Sequence, residues 1–156
     1  MERTELTNMC MIEDPVTGKV LVQNRIKGSW TGIAFPGGHL EEGESIVDST
    51  IREIYEETGL KISDLSMVGV KNWYNDSPQM EERYRYIVFL FTATCFEGQL
   101  IEGGEEGEVF WVHKEELPTM KLARGFGEML EVFFKSNVNE HYTFIDRTGK
   151  QTFCLK

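Results

Sequence analysis

A chain of 156 residues, 40% apolar and 12% aromatic, is long enough to bury roughly two thirds of its unfolded surface as one domain. Its net charge of −10 excludes a protein that grips a nucleic-acid polymer electrostatically, because such binding needs clustered Lys and Arg. Cys10, Cys95 and Cys154 form no CxxC pair and read as free thiols of a reducing cytoplasm; no apolar run approaches membrane-spanning length, and MERTELTNMC reads as neither signal sequence nor anchor.

In chain order, Leu6 to Ile12 is the first predicted strand, followed by the turn residues Asp14-Pro15-Val16-Thr17-Gly18. Lys19 to Arg25 is the second, and its apolar run Val20-Leu21-Val22 suits a strand buried on both faces. A loop with Trp30, readable as a packing anchor or as a substrate platform, leads into Ile33-Ala34-Phe35 and the turn Pro36-Gly37-Gly38.

The stretch Gly38 to Leu60, GHLEEGESIVDSTIREIYEETGL, holds six glutamates. Ile46, Val47, Thr50, Ile51, Ile54 and Tyr55 recur at spacings of three and four, which predicts a helix with these residues facing the core. Gly59 suits its left-handed stop. Glu53, Glu56 and Glu57, at i, i+3 and i+4, then share one arc of the helix. Like charges so placed repel, and a divalent cation held by oxygen ligands reverses the sign of that interaction. Written as Gly38, five residues, Glu44, seven residues, Arg52-Glu53-Ile54, one residue, Glu56-Glu57, one residue, Gly59-Leu60, the stretch resembles the signature of the Nudix family at every fixed position. The lead-in Gly28-x-Trp30 to Phe35-Pro36-Gly37-Gly38 is similar to that of nucleotide-cleaving members, the MutT-like branch.

Beyond the helix, Leu65 to Tyr74 is a predicted strand, and Tyr84 to Phe96, the most apolar one, is expected inside the sheet. A Gly- and Glu-rich loop from Gly98 to Gly107 precedes a strand at Glu108 to Val112, and Leu117-Pro118 ends a short turn. Leu122, Phe126, Met129, Leu130, Phe133 and Phe134 predict a core helix over Lys121 to Lys135. His141 to Leu155 alternates about Arg147-Thr148-Gly149-Lys150 and predicts a β-hairpin outside the part the resemblance covers. His39, His113 and His141 lack ligand-spaced partners and read as surface or packing residues, and Cys95 as a small core residue.

The elements, like the resemblance, imply an α/β fold: a mixed β-sheet sandwiched between α-helices, α/β/α, in a single domain over 1–156 with a core of about 4–136 and a C-terminal hairpin of about 141–155. The resemblance further implies hydrolysis of a nucleoside diphosphate linked to another moiety, with Mg²⁺ or Mn²⁺ as cofactor. Matched residue by residue, Glu53, Glu56 and Glu57 and the carbonyl of Gly37 are the metal ligands, with Glu44 supporting them or a second ion, and Arg52 orients the cluster. The general base is Glu53 or a glutamate of the later loop, Glu105 or Glu106 by spacing. Phe35, Gly38 and Arg25 are the candidate substrate contacts.

The expected partner is a small nucleotide, foremost a nucleoside triphosphate cut to monophosphate and pyrophosphate, with 8-oxo-dGTP a candidate. TMKLARGF, Thr119 to Phe126, lacks the Asn or Asp that readers of oxidised purines place there. The alternatives are ADP-ribose or another nucleotide-sugar diphosphate, and a non-hydrolytic sensor or isomerase on the same fold. The hairpin is expected to serve assembly of a homodimer, or else to cover its own chain's sheet.

Overall fold

The computed structural model describes residues 1–156. Strands β1 (Glu2–Ile12), β2 (Lys19–Arg25) and β3 (Gly32–Ala34) precede helix α1 (Ile46–Thr58). Then follow β4 (Leu60–Ser63), β5 (Ser66–Asn75), β6 (Arg83–Ala93), β7 (Cys95–Gly98) and β8 (Val109–His113). A 3-10 turn (Lys114–Thr119), helix α2 (Phe126–Phe134) and the hairpin strands β9 (Glu140–Ile145) and β10 (Gln151–Leu155) complete the chain.

The main sheet is mixed, as expected, in the order β1-β6-β5-β9-β10, with β1–β6 and β5–β9 parallel and the other pairs antiparallel. A three-stranded sheet, β3-β2-β8, and a β4-β7 ribbon stand beside it. The apolar run of β2 is fully buried. Ile54 of α1 packs with Ile12, Leu21 and Phe91 in one core, whereas Phe126, Met129, Leu130 and Phe133 of α2 pack with Phe35, Val22 and Leu90 in another. The sheets therefore separate the two helices, which is the Nudix-type α/β/α layering implied by the sequence.

Helix α1 is closed at both ends by its own sequence. The Ser45 hydroxyl accepts the Asp48 N–H at 3.0 Å, and Gly59, at φ 79°, donates its N–H to Tyr55. Its core face is narrower than the spacing predicts. Thr50 and Ile54 are buried and Ile46 and Ile51 pack at the margin, but Val47 and Tyr55 face solvent. The hydroxyls of Thr50 and Thr58 donate to carbonyls one turn back, so polar side chains fill the face instead.

Three other elements depart from expectation. The strand expected over Tyr84 to Phe96 splits at Thr94, because Cys95–Gly98 leaves the main sheet to pair with β4, a strand too short to be read beforehand. Cys95 is accordingly exposed rather than in the core. Helix α2 begins at Phe126 rather than Lys121, since the backbones of Lys121 and Ala123 are engaged with Ile33 of β3 at 2.9 Å. Leu122 thus belongs to a bridge, not a helix.

The tail hairpin joins its own chain's sheet through β9 on β5, leaving β10 as the outer edge. Phe35 is fully buried, its ring edge-on to Phe126 and Phe133 with centroids 5.0 Å away in each case. We expect Phe35→Ala to destabilise the fold by about 3–5 kcal/mol in urea unfolding. A loss below about 1 kcal/mol would show that the two rings close over the space without it.

Candidate active site

The site begins with two missing side chains. A Cβ on Gly37 would lie 2.1 Å from the carbonyl oxygen of Asn8 in β1, and a Cβ on Gly38 would lie 2.3 Å from the carboxyl carbon of Glu53 in α1. At Gly37 the obstacle is main chain and admits glycine alone, whereas at Gly38 it is the end of the Glu53 side chain, which any Cβ would displace. The main chain is held there by Asn8 N–H on Gly38 O at 2.8 Å and Cys10 N–H on Pro36 O at 3.0 Å. Asn8 also donates from its amide to Ser49 of α1 at 2.9 Å, tying strand to helix behind the loop.

Arg52 organises the carboxylates. Its Nε and one terminal nitrogen donate to both oxygens of Glu44 at 2.8 and 2.9 Å. The other terminal nitrogen reaches Glu53 at 3.0 Å and Glu56 at 3.2 Å, and the remaining N–H goes to the carbonyl of His39 at 3.0 Å. All five guanidinium donors are thereby used. Arg52 orients the cluster and has nothing left for a substrate. Its hydrogen bonds hold the Glu44 carboxyl down at about 2, and Glu44 in turn raises Arg52.

Glu57 differs from the others. Burial pushes its carboxyl up to about 7, against the Gly37 N–H at 3.0 Å and the charge of Arg25, while Glu53 and Glu106 push it further up. Glu53 and Glu106 therefore both bear on Glu57 at the loop–helix junction. Such hard oxygen donors suit a divalent cation, and the mutual repulsion is what a cation would relieve. As the side chains stand, no three acidic groups converge on one point, because Arg52 draws Glu53 and Glu56 to itself. The two later-loop candidates separate here: Glu105, 91% exposed, turns to Lys27 at 3.3 Å, whereas Glu106 is half-exposed and faces the cluster.

Gly37 and Gly38 also form one lip of a cavity of about 390 Å³. Its floor is one face of the main sheet, with Tyr86, Lys71, Trp73, Thr143 and Phe153 among the contributors, and α2 and the Trp30 loop close the opposite side. Trp30 is half-buried: it packs against the core, and its indole N–H donates to Arg124 O at 2.7 Å. Arg25, expected to meet substrate, lies in the cavity wall with its guanidinium 5.4 Å from the Trp30 ring centre, and its Nε has no partner. Phe35 behaves otherwise. It is among the residues around the cavity but has no exposed surface, its ring being packed edge-on against Phe126 and Phe133.

The cavity also holds residues that the motif could not reveal. His141, read as a surface or packing residue, is buried on the cavity floor, stacked on Phe153 with centroids 5.3 Å apart. Lys71 Nζ lies 2.7 Å from His141 Nδ1 and also contacts the Thr143 hydroxyl. A lysine in the apolar run VGVKNWY was the available signal. His39 lines the cavity too, at 3.2 Å from Glu5, whereas His113 stays on the surface.

The NUDIX domain family profile matches residues 6–133 of this chain. An uncharacterised Nudix hydrolase of Bacillus subtilis, YvcI, is 32% identical over 126 residues, covering 80% of this chain and 77% of that protein. An ADP-ribose pyrophosphatase of Methanocaldococcus jannaschii is 32% identical, over 65% of this chain and 59% of its own length. An oxidized purine nucleoside triphosphate hydrolase of Mus musculus is 33% identical, over 61% and 56%. Among solved structures, a MutT protein from Bacillus halodurans superposes with a TM-score of 0.77 at 22% identity, covering 97% of each chain, so the fold is shared through the hairpin. Site and fold thus define a hydrolase acting on nucleoside diphosphate derivatives. The chain belongs to the Nudix family.

Burial and the neighbouring Lys71 lower His141 from the usual 6.5 to about 4, so the folded protein holds it neutral. Between those values the unfolded chain binds the extra proton, so the contribution of His141 to stability is present above pH 6.5 and lost as pH falls toward 4. Glu57, raised to about 7, titrates with the opposite sign over the same range, so the readout of denaturation is the difference between the native chain and His141→Asn. The stability of the native chain relative to the variant should fall by on the order of 1–3 kcal/mol between pH 7 and about pH 4.5. An unchanged slope in the variant would assign the acid sensitivity elsewhere.

Proposed function

We propose that the chain cleaves a nucleoside triphosphate to monophosphate and pyrophosphate with Mg²⁺ or Mn²⁺, 8-oxo-dGTP being one candidate substrate. One observation carries this reading: the box carboxylates and the cavity share the Gly37–Gly38 lip, so phosphates at the carboxylates would leave the nucleoside directed into the cavity. Glu53, Glu56 and Glu57, with the Gly37 carbonyl, are the residues that would hold the metal, and Glu44 supports them through Arg52. The ion would neutralise charge developing on the phosphate oxygens and lower the pKa of bound water.

The chain's own residues supply positioning. Arg52 fixes the carboxylates before substrate arrives, which spares reorganisation during reaction. Arg25, with an unpartnered Nε and a place in the wall, is the cation available to phosphate oxygens. Glu106 is the proposed general base: it is half-exposed and its nearest cation, Lys27, is 4.0 Å away, while Glu53 is engaged by Arg52 and wedged against Gly38.

The relative named as an ADP-ribose pyrophosphatase motivates a second reading, in which the leaving group is a sugar phosphate. The exposed edge strand β10 would also suit pairing with a second copy, which light scattering of the full chain resolves.

With a triphosphate and Mg²⁺, reaction in isotopically labelled water should place the label in the monophosphate, marking attack at the inner phosphorus. Glu57→Gln should lower kcat by several orders of magnitude with the fold intact, and Glu106→Gln by about a hundredfold or more. Orthophosphate as first product, or near-normal turnover of Glu57→Gln at saturating Mg²⁺, would overturn the proposal.

A further inference from the structure

Although the protein carries a net charge of −10, the cavity holds Arg25, Lys71 and Arg124 against one acidic side chain, Glu128. Lys71 stands at its floor, side by side with His141 because β5 and β9 pair in parallel with these two residues in register. An ammonium can only donate, so the His141 Nδ1 at 2.7 Å and the Thr143 hydroxyl oxygen both accept from it. Those bonds consume two of its three N–H groups and fix its position. The neutral imidazole then carries its proton on Nε2, a buried atom with no partner within the protein. Trp73 and Tyr86 beside Lys71 offer flat apolar surface for a ring, and they form the same face of the sheet.

We propose that Lys71 is a specificity-determining donor of this cavity, positioned by His141 and Thr143, and that the cavity prefers bases bearing an exocyclic carbonyl oxygen to those bearing an exocyclic amine at the same position. The inference rests on the hydrolytic reading only in placing a nucleoside in the cavity. The remaining N–H of Lys71 meets a carbonyl lone pair productively, whereas an exocyclic amine opposes donor to donor. A hydrogen bond to a buried charge, or the penalty for leaving one unmade, is large enough to discriminate. Burial holds Lys71 down at about 8, with Glu128 opposing the shift, so the group has already surrendered hydration that a ligand oxygen would replace.

Two pairs of product nucleotides carry the exchange of exocyclic oxygen for amine, together with the accompanying switch of the adjacent ring nitrogen from donor to acceptor: UMP against CMP, and IMP against AMP. The Lys71 variants assign the preference to the exocyclic group. Isothermal titration calorimetry of the full chain should give at least about tenfold tighter binding for UMP and IMP. Lys71→Met should bring both ratios near one, Lys71→Arg should retain a preference, and His141→Gln should weaken it. In turnover of the matching triphosphates, the loss should fall on KM, which a merely structural role would not confine to the carbonyl-bearing members. Equal binding within each pair by the native chain, an unchanged ratio in Lys71→Met, or no nucleotide binding at all would overturn the inference. Preferential binding without hydrolysis would sustain the cavity assignment and defeat the hydrolytic reading. Hydrolysis without preference would do the reverse.

Discussion

The molecule depends on the close approach of a two-glycine loop to β1 on one side and to α1 on the other. Asn8 O stands where a Cβ of Gly37 would be, and the Glu53 carboxyl where a Cβ of Gly38 would be. A side chain at Gly37 would push the loop off β1, and one at Gly38 would turn the Glu53 carboxylate away. The same contact bears on Glu57: burial drives its carboxyl up, and the Gly37 N–H is the one backbone donor that opposes the rise. Fold and chemistry are therefore joined at the main chain of two residues.

Around that contact, charge is divided by function. Arg52 spends every donor on the glutamates and on the His39 carbonyl, so it acts on the cluster and not on a ligand. Arg25 has the opposite character, with one buried nitrogen left unbonded and its guanidinium over Trp30. The pair shows why the same residue type cannot be given a role from sequence alone: what decides is how many of its five hydrogens the fold has already used.

The box was legible because its chemistry lies on one helix, where a spacing of three and four translates directly into a shared face. Glu53, Glu56 and Glu57 needed no partner from elsewhere to be recognised. The cavity was not legible for the opposite reason. Its floor draws on β1, β5, β6, β9 and β10, and neighbours such as Lys71 and His141 meet only through strand register. Cys95 was misplaced by the same limit, since strand alternation states which residues share a face but not whether that face is covered. In α1 the spacing admitted Val47 and Tyr55 to the core, yet both face solvent, while buried Thr50 and Thr58 satisfy their hydroxyls on the preceding turn.

The hairpin changes how the protein comes into being. The box carboxylates and the loop that seats them lie within 36–57, and the loop is held by α1 and β1, with Glu106 approaching Glu57 from further along the chain. Lys71 waits for a partner seventy positions further along the chain, across a parallel pairing whose loop-closure entropy is among the costlier kinds. A ribosome delivers the box carboxylates well before the last strands of the cavity floor. During synthesis the nascent chain thus passes through a stage in which the carboxylate helix and its glycine loop have emerged and the cavity floor is still missing its last two strands.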